Sequence, residues 1–128
     1  KMNLINGNLI LQGGIPCFKF GDRVCKLSSY NISIQSPLEG MDVVFGIRPE
    51  NIYRSKERLE GHDFLEIELR VVRSELTGGD VQVCFDLDGK QLISRFRSTQ
   101  MPKNGTKVTL FMDMANISLF DKVTGLRI

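Results

Sequence analysis

The sequence predicts an all-β fold, a small barrel or sandwich of short strands, from three observations. Leu65, Ile67, Leu69 and Val71 alternate with Glu66, Glu68 and Arg70, and Val81, Val83, Phe85 and Leu87 alternate with Gln82, Cys84 and Asp86. That two-residue period marks a half-buried strand. Glycine-bearing turns recur at short intervals, with 12 glycines against a single alanine, Ala115. No stretch carries the apolar period of an amphipathic helix. The 128 residues fit one domain, 1–128, long enough to bury roughly two-thirds of its unfolded surface around one core.

Taken in order, residues 4–11 form a first strand, ended by Gly13-Gly14-Ile15-Pro16. Residues 17–20 and 24–27 make a hairpin around Gly21-Asp22. The polar run 28–40, with Ser36-Pro37-Leu38-Glu39-Gly40, is a surface loop. Residues 42–47 are a compact apolar strand, which Arg48-Pro49-Glu50-Asn51 must leave, since Pro49 lacks a donor and biases Arg48 toward an extended backbone. Residues 54–61 are a charge-rich, solvated connector. The alternating strand from Leu65 loses phase at Val71-Val72, where a bulge or bend is expected. Gly78-Gly79 turns the chain into the strand of Val81, and Asp88-Gly89 is a strong hairpin signal. Residues 91–97 return, Met101-Pro102-Lys103-Asn104-Gly105 turns, and residues 107–112 and 116–120 are the last strands, before a turn at Thr124-Gly125. The part from His62 onward reads as a compact barrel by itself, with the first sixty residues adding strands or forming a second lobe.

Several chemistries are excluded. Seventeen basic residues against 15 acidic give a net charge of +2, without the basic excess of a sequence-independent nucleic-acid binder. No apolar run approaches the roughly 20 residues of a membrane-spanning helix. No secretory leader is visible within the sequence, and the start at Lys1 points to a fragment. Cys17, Cys25 and Cys84 are odd in number and form no Cys-x-x-Cys pair, which fits a reducing cytoplasm. His62, the single histidine, lies in the loop-like Glu60-Gly61-His62-Asp63, so neither a zinc site nor a catalytic triad is expected. No Gly-x-x-x-x-Gly-Lys-Ser/Thr phosphate loop occurs. Asp86 and Asp88 read as a solvated strand edge rather than a cation site, and Phe85, Phe96 and Phe111 as core rather than a base-stacking platform. A basic group of Arg95, Arg97, Lys103 and Lys107 contrasts with residues 62–80, which carry two basic and five acidic side chains; such patches suit self-association or a charged protein partner.

Three segments are specific. Phe45-Gly46-Ile47-Arg48-Pro49-Glu50-Asn51-Ile52 resembles the Gly-Ile-Arg-Pro-Glu signature of the C-terminal domain of sugar-importer ABC ATPases, of the maltose and glycerol-3-phosphate type. Leu119-Phe120-Asp121-Lys122-Val123-Thr124-Gly125-Leu126-Arg127-Ile128 resembles the closing pattern of that family, with Ser118 where histidine is common. Lys1-Met2-Asn3 resembles the end of the preceding nucleotide-binding domain. The resemblance implies an oligonucleotide-binding-like (TOBE) regulatory domain that binds no nucleic acid and holds two ATPase subunits together. It further implies a homodimer, a cytoplasmic place at the inner face of the membrane beside permease subunits, and in some members a regulatory protein. ATP and magnesium then belong to the missing domain, and this chain carries no cofactor or catalytic residue.

The residues proposed for the dimer or regulatory interface are Arg48, Pro49, Glu50, Leu119 and Phe120. Arg48 offers a fork of donors, Pro49 sets the chain direction and Glu50 stands ready to pair across a junction. The same two charges equally suit a brace between the barrel and the N-terminal strands. Leu119 and Phe120 read as half core, half interface, and Gly46 as the opening of the Arg-Pro-Glu turn. Two other readings stand beside this one: a small-oxyanion-binding barrel, with backbone donors at Thr77-Gly78-Gly79 or Ser98-Thr99, and a single-strand nucleic-acid-binding barrel.

Overall fold

A computed structural model describes residues 1–33, 39–97 and 101–128. The expected Ser36-Pro37-Leu38 loop centre and the Ser98-Thr99 anion cradle lie outside the described residues. Among the described residues, ten strands form two five-stranded antiparallel sheets. They are β1 (Asn3–Gln12), β2 (Ile15–Phe20), β3 (Arg23–Lys26), β4 (Asp42–Ile47), β5 (Ile52–Tyr53), β6 (Phe64–Thr77), β7 (Asp80–Leu87), β8 (Lys90–Phe96), β9 (Lys107–Asp113) and β10 (Ile117–Asp121). The first sheet runs β10-β4-β1-β2-β3 and the second β5-β9-β6-β7-β8. Helix is confined, among the described residues, to short 3₁₀ turns at Pro49–Asn51 and Glu57–Leu59. The all-β expectation holds.

Local chemistry explains most elements. At Asp88-Gly89 both backbones take positive φ, 52° and 87°, and Leu87 pairs Lys90 across the turn; this mirror-image turn matches the twist of the flanking strands. The 14-residue β6 pairs β9 over its first half and β7 over its second. Its register shifts between Val71 and Arg73, and Val72 is left 44% exposed. The bulge expected at Val71-Val72 is therefore present, and it bends the strand so that one strand serves two neighbours. Beyond it the second sheet curls until its edge strand β8 lies against β5 and the Pro49–Asn51 turn.

The part from His62 onward is not a self-contained barrel. β10 leaves it and pairs with β4, Ile117 opposite Ile47 and Phe120 opposite Val44, while β5, from the N-terminal half, pairs with β9. Docking there satisfies an otherwise open edge of β4. One hydrophobic cluster consequently runs through both sheets, from Leu9, Phe18 and Phe45 to Phe85, Leu110 and Met112. Phe85, Phe96 and Phe111 are buried, as expected.

Polar side chains tie the sheets together. The Asn3 amide donates to the Ile93 carbonyl and accepts from the Ile93 N–H, both at 2.8 Å. One side chain thus does for the edge of β8 what a neighbouring strand would do. Asn3→Ala is expected to destabilise the domain by about 1–2 kcal/mol, read by urea denaturation, because two partly buried groups of Ile93 lose their partner. The 28–33 segment is more than a surface loop. Ser28 donates to the Asp63 carboxylate, and Ser29 and Asp63 exchange hydrogen bonds of 3.1 and 2.8 Å. The Tyr30 hydroxyl donates to the Ile128 carbonyl at 2.7 Å. The 54–61 connector is likewise anchored, since Leu59 is only 1% exposed.

Candidate functional site

The Arg48-Pro49-Glu50 corner is built as the proline requires. Arg48 is extended, at φ −76° and ψ 149°, and Pro49 opens the 3₁₀ turn that the Asn51 N–H closes on the Arg48 carbonyl at 3.0 Å. Pro49 is buried while Arg48 and Glu50 are exposed. Neither charged side chain forms an ion pair among the described residues. Asn51 reaches the Asn116 carbonyl at 3.4 Å, joining the corner to the chain just before β10.

Gly46 does not open this turn. It lies buried within β4, opposite Leu4 and Ser118, and a Cβ there would run into the Met2 thioether. Its role is close approach: Met2 packs where a side chain would stand.

The closing segment folds back on β10. The Asp121 carboxylate accepts from the Val123 and Thr124 amides at 2.8 and 3.3 Å, and Thr124 Oγ1 accepts from the Leu126 amide at 3.2 Å. Phe120 then bridges Arg127, and the Ile128 amide reaches the Leu119 carbonyl at 2.9 Å. Leu119 is 0% exposed. Its expected half-interface role is therefore corrected: the side chain belongs wholly to the core, because its position on β10 faces inward. Phe120 is half-buried. Opposite Val44, it stands four residues along β4 from Arg48, roughly 13 Å by strand rise. The five proposed residues thus do not form one cluster.

A groove of about 590 Å³ opens beside the corner, where β8 lies against β5. It is lined by Glu50, Tyr53, Arg54, Arg58, Asp80, Arg95, Phe96 and Arg97, with Ile52 and Ser55. The Arg54 guanidinium lies 5.5 Å over the Phe96 ring. Sequence reasoning singled out Arg95 and Arg97 but not Arg54 and Arg58, which arrive from the connector. It also passed over Asp113, which is 3% exposed and accepts from the Ala115 amide at 3.0 Å and the Asn116 amide group at 2.7 Å. His62 is exposed, as its loop-like setting predicts, and its ring sits 3.3 Å from the same carboxylate.

Other chemistry is bounded. No group of three or more metal-ligating side chains gathers among the described residues. Asp86 is engaged as the acceptor for the Gly89 amide at 2.9 Å, and Asp88 pairs with Arg23 at 2.6 Å. All three cysteines are free and buried. Burial, reinforced by neighbouring Cys17, pushes the Cys25 thiol up to about 12, so it stays protonated at neutral pH. Thr77-Gly78-Gly79 is the tip of the β6–β7 hairpin. No helix of the described residues is long and apolar enough to cross a membrane.

A family model described as the MalK OB fold domain matches residues 1–52, and one described as the TOBE domain matches residues 45–120. The chain belongs to the TOBE domain family. The two matches overlap on the Phe45–Ile52 corner. The trehalose/maltose import ATP-binding protein MalK of Thermococcus litoralis is 33% identical over 89 residues, which is 67% of this chain and 23% of that protein. The oligosaccharides import ATP-binding protein MsmX of Bacillus subtilis is 29% identical over 89 residues, covering 70% of this chain and 24% of that protein. This TOBE domain thus spans about a quarter of the length of these relatives. Among solved structures, the cytoplasmic molybdate-binding protein ModG, with molybdate bound, superposes with a TM-score of 0.65 at 18% identity, covering 91% of this chain and 94% of that one. At that identity the likeness speaks for the fold alone.

Proposed function

We propose that this TOBE domain is the non-catalytic C-terminal regulatory and dimerisation domain of the ATP-binding subunit of an ABC importer for sugars or related solutes. The observation that carries the reading is the tiling of the chain by the two family matches, 1–52 and 45–120, together with relatives that are both sugar-import ATP-binding proteins. ATP and magnesium are held by a nucleotide-binding domain outside this chain. The assembly works on the cytoplasmic face of the membrane with permease subunits, and a regulatory protein docks on some surface of the domain.

The mechanism is mechanical. A lasting contact between two copies keeps the catalytic halves at high effective concentration as they open and close. A regulator that prefers one arrangement shifts the population toward it. Two features support a contact on the face of β10. Phe120 is half-exposed on an edge strand, and Val123 and Leu126 beside it are 89% and 69% exposed. Arg48 and Glu50 supply exposed charges for a second contact.

Analytical ultracentrifugation tests the dimer. The chain is expected to sediment at twice its own mass at micromolar concentration, and Phe120→Ala and Arg48→Ala to weaken association by about tenfold or more each. A monomer at every concentration, or an unchanged mass in both variants, removes the dimer. ATP hydrolysis by the purified chain refutes the non-catalytic assignment.

A further inference from the structure

The groove at the β5–β8 seam gathers like charge. Arg54 and Arg58 come from the connector, where buried Leu59 holds the 3₁₀ turn in place, and Arg95 and Arg97 come from the end of β8. Two carboxylates, Glu50 and Asp80, line the same groove. Among the described residues none of the four arginines makes an ion pair. Four cations brought together this way repel one another, and a bound anion relieves the repulsion. Guanidinium forks suit phosphate oxygens in particular, because they donate two parallel hydrogen bonds.

The rest of the lining argues for more than a free ion. At about 590 Å³ the groove falls within the roughly 300–1,000 Å³ of small-molecule sites. Tyr53 supplies aromatic surface, buried Phe96 backs the Arg54 guanidinium, and Glu50 and Asp80 are acceptors that suit hydroxyl groups. We propose that this groove binds a phosphorylated sugar: the arginines hold the phosphate, the two carboxylates accept from sugar hydroxyls, and the half-buried Tyr53 ring packs on the sugar. The choice of a sugar as the organic part rests on the importer reading above. The groove includes Glu50 of the Arg48-Pro49-Glu50 corner, so a bound phosphate ester would reach the corner proposed as an interface.

Calorimetric titration of the 128-residue chain at low salt, with glucose 6-phosphate as probe, is the test. Saturable binding is expected with Kd below about 1 mM, no binding of glucose, and at least about tenfold weaker binding of inorganic phosphate. Arg54→Gln and Arg95→Gln are each expected to weaken the phosphate ester about tenfold. A variant-free check is the chemical-shift change on titration, expected at Tyr53, Phe96 and the arginine side chains. No binding at millimolar ester, equal affinity for phosphate and ester, or shifts confined to another surface overturns the proposal. So does tighter binding of a peptide spanning the acidic residues 62–80, which would make the groove a protein interface. A chain that is monomeric in the ultracentrifuge yet binds the ester removes the dimer and leaves the groove, and a dimer that fails to bind does the reverse.

Discussion

Replacing Phe18 with alanine is expected to cost about 3–5 kcal/mol of folding stability, the range for a fully buried phenylalanine that leaves a cavity. Phe18 is 0% exposed on β2, and its ring stacks on Phe45 at 4.9 Å and on Phe20 at 5.4 Å between centroids. Phe20 is itself covered by the Arg23 guanidinium at 5.5 Å. The loss therefore includes transfer of the ring and the aromatic contacts, and the cavity is not free to close. β1 and β3, hydrogen-bonded to β2 on either side, hold its walls apart. For a domain of this length the melting temperature should fall by about 10–20 °C. Thermal and urea unfolding read both quantities. Phe120→Ala provides the contrast: half-buried on an edge strand, it should cost under about 1.5 kcal/mol in the monomer. A Phe18→Ala loss below about 2 kcal/mol would mean that the two sheets relax around the gap and that the core is not closely packed there.

The elements legible in the sequence were those written locally. Asp88-Gly89 marks its hairpin because both positions need positive φ, and the β6 bulge is visible because Val71-Val72 breaks a period of two. Which sheet a strand joins is not local. Alternation tells which face of β10 is buried, and Leu119 inside with Ser118 and Phe120 partly outside follows from it. Nothing in that pattern says that the partner strand is β4, seventy residues away. The groove was hidden for the same reason. Arg95 and Arg97 share a parity that turns them outward, but the connector that brings Arg54 and Arg58 beside them reads only as a solvated charge run. Leu59, its one large apolar residue, was the available signal that the run is pinned.

The three segments that carried the family resemblance are far apart in the chain and adjacent in space. Met2 packs on Gly46, Asn3 pairs with Ile47, Ser118 stands opposite Gly46, and Asn51 reaches Asn116. They are the beginnings, ends and neighbours of β1, β4 and β10, the contiguous half of the first sheet. A physical constraint thus stands behind each motif: a glycine where a methionine needs room, a proline that turns the chain out of β4, and an aspartate that folds the tail onto β10. Motifs of this structural kind identify the domain without marking a site. That is why Pro49 and Leu119 proved to be buried supports, while Arg48 and Glu50 of the corner stay exposed.

Asp113 is where the chain passes from the second sheet to the first, and Asp113→Ala is expected to cost about 2–4 kcal/mol, since two hydrogen bonds to a buried carboxylate are lost together. The carboxylate is 3% exposed, accepts from the Ala115 amide at 3.0 Å and from the Asn116 side chain at 2.7 Å, and has His62 at 3.3 Å. Those bonds shape the turn that aims β10 at the open edge of β4. Without them, residues 114–116 must reorganise before β10 can dock. The expected signature is therefore local as well as global. Hydrogen exchange at the β10 amides should accelerate more than exchange in β7 or β8, because strands bound on the far side of the core do not depend on this turn. Asp113→Asn keeps an acceptor for Ala115 while removing the charge, so its loss should be about half that of alanine. Equal losses for the two variants, or uniform acceleration of exchange across both sheets, would show that Asp113 supports the core in general and does not steer the crossing.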